Sequence, residues 1–134
     1  MPIQPYLFFQ GRADEAIAFY EKALGAKCVR LLRFKDNPDA AAPPPPEFAD
    51  KVMHARLEIG GEVLLLSDGH GSEAPQFQGF ALTLSVADAA EADKAFAALS
   101  AGGQIAQPLQ KTFFSQRFGM TRDPFGVLWI ILVG

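Results

Sequence analysis

One succession of patterns occurs twice along this chain, and that repeat restricts the fold more than any other feature. "PYLFF" opens with bulky, strand-favouring residues. "GRADEAIAFYEKALGA" then runs at helical spacing, with Ala16, Ile17, Phe19, Tyr20, Ala23 and Leu24 on one apolar face and Gly25 as the residue that ends the helix. Strand patterns follow in "KCVRLLRF", in "KVMHARLEI", where Met53, Ala55, Leu57 and Ile59 alternate with polar residues, and in "EVLLLSD" beyond a Gly60-Gly61 hairpin turn. The order then returns as strand "FALTLSV", helix "DAAEADKAFAALSAGG", strands "QIAQPL" and "KTFFSQRFGM", turn "RDPFG" and strand "VLWIILV".

Single residues repeat as well. "ADEA" at 13 to 16 and "AAEA" at 89 to 92 both open a helix, with Tyr20 and Phe96 at the same distance beyond, and Gly61 before "EVLLL" matches Gly126 before "VLWII". The pattern predicts an α+β fold of two tandem βαβββ modules, about 1–70 and about 78–134, within one domain spanning 1–134. Asp88, with Glu91 three residues later, predicts a capping box on the second helix. Pro124 and Gly126 supply the turn before the last strand, and Trp129 is expected on the helix-facing side. In "KDNPDAAAPPPPEFAD", the prolines Pro43 to Pro46 predict a long surface loop without regular structure.

Composition narrows the partners. A net charge of −3 without a run of Lys or Arg offers no face for a phosphate backbone, so nucleic acid is not expected. The apolar run from Tyr6 to Phe9 is too short for a signal sequence or a membrane span, which makes a cytoplasmic protein without membrane association the expectation. Cys28 is the single cysteine; it predicts a packed strand side chain and leaves no thiolate cluster for a metal.

Two βαβββ modules carrying "AIAFYEKALGA" after the first strand and "DPFGVLWII" at the end resemble the vicinal oxygen chelate superfamily of glyoxalase I, extradiol dioxygenases, and fosfomycin and bleomycin resistance proteins. "PYLFFQG", "VMHARLEIGG", "LLLSD", "GGQIAQPLQKTFF" and "FGMTRDPFGVLWII" are similar to its PhnB-like branch. The resemblance implies an eight-stranded, cup-shaped mixed sheet, a homodimer, and a small-molecule ligand inside the cup. Metal-dependent members carry ligands on the first and last strand of each module, which the resemblance places at Pro5, Leu65, Ala81 and Ile130. These offer carbon where divalent metals need imidazole or carboxylate donors. A divalent metal is therefore disfavoured, and no cofactor is predicted.

Strand alternation then selects the candidate site. With Met53, Ala55, Leu57 and Ile59 toward the helices, His54, Arg56 and Glu58 are expected to face the cup or the solvent near its rim, and His54 can move a proton near neutral pH. His54 is the candidate catalytic residue; Arg56, Glu58, Ser67, Thr83, Phe114 and Arg117 are the candidate pocket residues, with Ser85 in the phase of Thr83. Arg117 could fix a carboxylate or phosphonate, the competing role being a salt bridge to Glu58 or Asp123. Asp68 is expected to cap the turn into Gly69, and His70 lies in a Gly-rich loop. A triad of Ser67, His54 and Asp68 lacks a nucleophile elbow.

Three function classes follow. The first is a small-molecule binding protein acting without the superfamily's metal. The second is a metal-dependent lyase, isomerase or dioxygenase with a displaced site near His54 and Glu58. The third is an interaction protein with a filled cup. A methyltransferase, the label sometimes attached to the PhnB-like branch, is opposed by the lack of a strand leading into a glycine-rich cofactor loop.

Overall fold

The structure, a computed structural model, describes residues 1–39, 43–69 and 75–134. It divides into two compact units, Met1–Pro75 and Gln76–Gly134. The first contains β1 (Tyr6–Phe8), α1 (Ala13–Leu24), β2 (Lys27–Arg33), α2 (Pro46–Ala49), β3 (Val52–Ile59) and β4 (Glu62–Ser67). The second contains β5 (Leu82–Val86), α3 (Ala89–Ser100), β6 (Gln104–Gln110), β7 (Phe118–Arg122) and β8 (Leu128–Val133). Each unit forms one four-stranded mixed sheet, in the orders β1-β4-β3-β2 and β5-β8-β7-β6. In both, the first strand runs parallel to the last and the other ladders are antiparallel. The two sheets share one topology, as two tandem βαβββ modules require.

Each helix covers one face of its sheet. Ala13, Ala16, Ile17 and Tyr20 of α1 are buried with Leu7, Phe9, Ala55, Leu57, Leu64 and Leu66; Ala92, Ala95, Phe96 and Leu99 of α3 are buried with Trp129 and Ile131. Helix α1 ends at Gly25, whose φ of 67° is a left-handed conformation that glycine adopts without a Cβ clash. Helix α3 begins at Asp88, which accepts a hydrogen bond from the Glu91 backbone N–H at 2.8 Å, while the Glu91 carboxylate accepts one from Ala87 N–H at 3.2 Å. The reciprocal box therefore forms, displaced by one residue on its return bond. Trp129 lies on the covered side as expected, its indole N–H donating to Asp123 Oδ2 at 3.0 Å.

Three expectations need correction. The proline segment is not wholly irregular, because Pro46 opens the four-residue helix α2 at the one position where a missing N–H costs nothing. "KTFFSQRFGM" is not one strand: β7 begins only at Phe118, and 111–117 form a loop closed by Thr112 N–H to Ser115 O at 2.9 Å. Finally, β3 does not alternate along its whole length. Ladder partners step from Leu32↔His54 to Arg33↔Val52, so Met53 is an extra, bulged residue. Val52 joins Ala55 and Leu57 on the buried side in its place.

Candidate functional site

The face of the first sheet turned away from α1 carries most of the ionisable candidates. His54 and Arg56 stand on it, on the opposite phase from buried Ala55 and Leu57. β1 contributes Tyr6 and Phe8, 39% and 51% exposed, while the intervening Leu7 and the following Phe9 are buried. The Tyr6 hydroxyl lies 2.9 Å from His54 Nδ1, and the two ring centroids are 5.6 Å apart. Tyr6 also stacks on Phe8 at 5.1 Å with 16° between the planes. Partial burial pushes the Tyr6 phenol above its ordinary pKa. Tyr6 thus links His54 to Phe8, with Arg56 on the same face two residues further along β3.

Cross-strand register orders this face further. Tyr6 is opposite Leu65, Leu65 opposite Arg56, and Arg56 opposite Arg30, giving one row across all four strands. Val29 makes this possible: partners step from Cys28↔Leu57 to Arg30↔Arg56, so Val29 is the extra residue that keeps Arg30 on the same face as Arg56. Glu58 is exposed and opposes Lys27, one row beyond the arginines. Cys28 is half-buried, and burial is the main cause that raises its thiol pKa.

Ser67, not Asp68, caps the turn into Gly69. Gly69 N–H donates to Ser67 Oγ at 2.9 Å, and that hydroxyl also reaches Val52 O at 3.3 Å, so Ser67 is 4% exposed and engaged with backbone. Asp68 does not cap the turn into Gly69. Its Oδ1 accepts from Gly11 N–H at 2.7 Å and Ala13 N–H at 2.9 Å, and its Oδ2 from Val52 N–H at 2.8 Å. No triad of Ser67, His54 and Asp68 is assembled, since Ser67 and Asp68 bond to backbone and His54 to Tyr6. His70 lies outside the described residues.

The remaining candidates belong to the second unit. Thr83 and Ser85 are exposed on β5, with Thr83 opposite Ile130 of β8. Phe114 is 58% exposed on the 111–117 loop, edge-on to Phe118 at 5.3 Å and to Phe113 at 5.1 Å. Arg117 precedes β7 instead of lying in it, and pairs with Asp93 of α3 at 3.2 Å, a partner that neither Glu58 nor Asp123 supplies. Asp123 instead accepts from Phe125 N–H, Val127 N–H and the Trp129 indole.

The residues at the inherited ligand positions do not fit a metal. Register sets Tyr6, one residue beyond Pro5, opposite Leu65, just as Thr83 stands opposite Ile130. Leu65 and Ile130 carry no donor atom, and among the described residues no three His, Cys, Asp or Glu side chains converge as a metal site. Glu58 adds none near His54, because four residues of strand, about 13 Å, separate them.

Two tandem βαβββ units, each with this connectivity, define the vicinal oxygen chelate class of fold. The profile of the Glyoxalase/Bleomycin resistance protein/Dioxygenase superfamily matches residues 3–131, and the chain belongs to that family. Protein YjdN of Escherichia coli (strain K12) is 35% identical over 140 residues, covering 99% of this chain and 95% of YjdN. Protein PA1353 from Pseudomonas aeruginosa superposes with a TM-score of 0.87 at 38% identity, over 99% of this chain and 97% of that one. The PhnB protein from Bacillus cereus, described as a 3-demethylubiquinone-9 3-methyltransferase candidate, superposes with a TM-score of 0.79 at 26% identity and full coverage of both chains. The PhnB-like character of the sequence is matched by the Bacillus cereus neighbour.

The positions of Tyr6 and Arg30 on this face are not evident from the sequence. Both were hidden by phase: "PYLFF" is apolar at every position, so alternation does not say which residues face outward, and the bulge at Val29 is set by β3 and not by β2 itself. Among the described residues, no helix is long and apolar enough to cross a membrane.

Proposed function

We propose that the chain is a small-molecule binding protein whose ligand rests on the open face of the first sheet, held by Tyr6, His54 and Arg56 without a metal. The observation that carries this reading is the exposed Tyr6–His54 pair, bonded at 2.9 Å beside the carbon-only Leu65. An aromatic shelf with a few convergent polar groups is how sites for small organic molecules are built. NMR screening of aromatic fragments tests it directly. Binding should perturb the Tyr6, His54 and Leu65 resonances and weaken in His54→Ala; a library that leaves those resonances unmoved overturns the proposal.

A second reading shares the same contact. A phenol bonded to an imidazole is also a proton-transfer pair, with His54 as the general base and Tyr6 holding it in place. On an identified substrate, unchanged turnover in His54→Ala would refute this role. A homodimer in the cytoplasm belongs to the same proposal, supported by the family's habit of completing its cup from two chains; sedimentation at the 14.5 kDa of a single chain counts against it.

A further inference from the structure

The row Tyr6, Leu65, Arg56, Arg30 ends in two guanidinium groups on directly opposed positions of β2 and β3. Opposed residues on one sheet face have Cβ atoms about 5 Å apart, and like charges there are destabilising unless something neutralises them. Every other arginine has a partner. Arg12 pairs with Glu15, Arg33 with Asp14 and Arg117 with Asp93, while Arg122 donates to the carbonyls of Phe77 and Gly126. Among the described residues, neither Arg30 nor Arg56 has an ion pair within 4.0 Å or a side-chain hydrogen bond. The carboxylate on the same face, Glu58, opposes Lys27 one row further on. The sheet thus presents two unneutralised cations side by side, next to Leu65 and an exposed aromatic stack.

Resting on the small-molecule reading above, we propose that Arg30 and Arg56 together receive a doubly charged oxyanion head, while the flat apolar body of the same ligand lies over Leu65 against Tyr6 and Phe8. Guanidinium forks match the oxygen spacing of phosphoryl and carboxylate groups, and one dianion neutralises both arginines at once. The distance agrees as well. Adjacent strands are about 4.8 Å apart, so a single aromatic ring spans from Leu65 on β4 to the neighbouring position of Arg56 on β3. His54 spends Nδ1 on Tyr6, leaving Nε2 as a further polar contact beside the ligand body.

Calorimetry at pH 7.5 with three probes separates head from body: phenyl phosphate, inorganic phosphate and phenol. Phenyl phosphate is expected to bind at least tenfold more tightly than either of the others, with affinity falling as sodium chloride is raised. Arg30→Gln and Arg56→Gln should each remove about tenfold from phenyl phosphate binding, and Arg30→Gln should leave phenol binding unchanged. Their ligand-free thermal midpoints should hold or rise, since the repulsion has been relieved; a merely structural arginine would give the reverse. Phe8→Ala should lower the affinity of phenol and phenyl phosphate alike. If phenol binds at Tyr6 and Phe8 but the phosphate adds nothing, or if the glutamine variants bind phenyl phosphate as the parent does, the anion site is refuted and the small-molecule reading stands. If phosphate binds through the two arginines while phenol and other aromatic fragments leave Tyr6 and His54 unperturbed, the aromatic half of the ligand fails with the reading on which it rests.

Discussion

The two units share one topology and differ in what they do with it. In the first, the face turned away from the helix carries Tyr6, His54, Arg56 and Arg30; in the second, the corresponding face carries Thr83, Ser85, Gln107, Phe118, Met120, Leu128, Ile130 and Leu132, and Arg122 on it is bonded to backbone carbonyls. Duplication of a module therefore fixes where strands lie but not what chemistry they display. The same contrast appears at the helix starts. Helix α3 is capped from its own N-terminus by Asp88, whereas α1 has Arg12 at its N-cap, with no cap bond from that side chain, and is capped by Asp68, 55 residues away from Ala13.

The sharpest way to break this comparison is to remove the two buried carboxylates. Asp68 ties the β1–α1 turn, α1 and β3 together through three backbone N–H groups, and Asp123 holds its own turn and the Trp129 indole through three more donors. A buried donor left unpaired costs about 1–3 kcal/mol, and the three at each site share a small space, so Asp68→Ala and Asp123→Ala should each lose about 3–5 kcal/mol in urea unfolding. Asp68→Asn should fall between, because it keeps a single acceptor oxygen. A loss below about 1 kcal/mol for Asp68→Ala would show that α1 does not depend on its distant cap.

Next in size is Gly119, opposite Ile131 on β7. A Cβ built there would lie 2.8 Å from a ring carbon of Phe96 and 2.9 Å from Leu109 Cα, so close helix–sheet approach in the second unit requires the glycine. Gly119→Ala should cost about 1–3 kcal/mol by overpacking. Asp88→Ala should be milder, about 1 kcal/mol, because it removes one local cap bond at a solvent-exposed helix end. If Asp88→Ala proves as damaging as Asp68→Ala, the distinction between local and distant capping collapses.

That distinction also explains how much could be read in advance. Local signals gave the right elements: helical spacing for α1 and α3, the capping pair Asp88 and Glu91, and Gly60-Gly61, whose φ values of 55° and 85° are those of a hairpin turn with both central residues left-handed. Whatever depends on a partner strand was illegible. The bulges at Val29 and Met53 exist only relative to each other's strands, and they decide that Arg30 joins Arg56 and that Val52, not Met53, is buried. His54 and Arg56 were legible because the bulge lies just before them, leaving the alternation from His54 onward intact. Tyr6 was not, since an all-apolar string conceals its phase until β4 supplies the register. Asp68 looked like a turn residue because its acceptors serve Gly11 and Ala13, which no short window contains.

The smallest expected effect is also the most specific to the first unit's face. Burial raises the Tyr6 phenol above its ordinary value near 10, so the folded state holds that proton more tightly than the unfolded chain does. The sign follows: the associated stability is fully present below the unfolded pKa and is lost as the pH rises through the folded one. An ultraviolet difference titration of the parent against Tyr6→Phe should isolate a phenol that ionises later than free tyrosine, since Tyr20 is common to both. Below pH 9 the two proteins should melt at nearly the same temperature, because the lost bond is exposed and shared with water. The His54 ring, however, should lose its fixed orientation in Tyr6→Phe, visible as averaged imidazole proton shifts. A phenol that titrates at or below 10, with imidazole shifts unchanged in Tyr6→Phe, would show that the Tyr6–His54 contact does not hold the ring in solution.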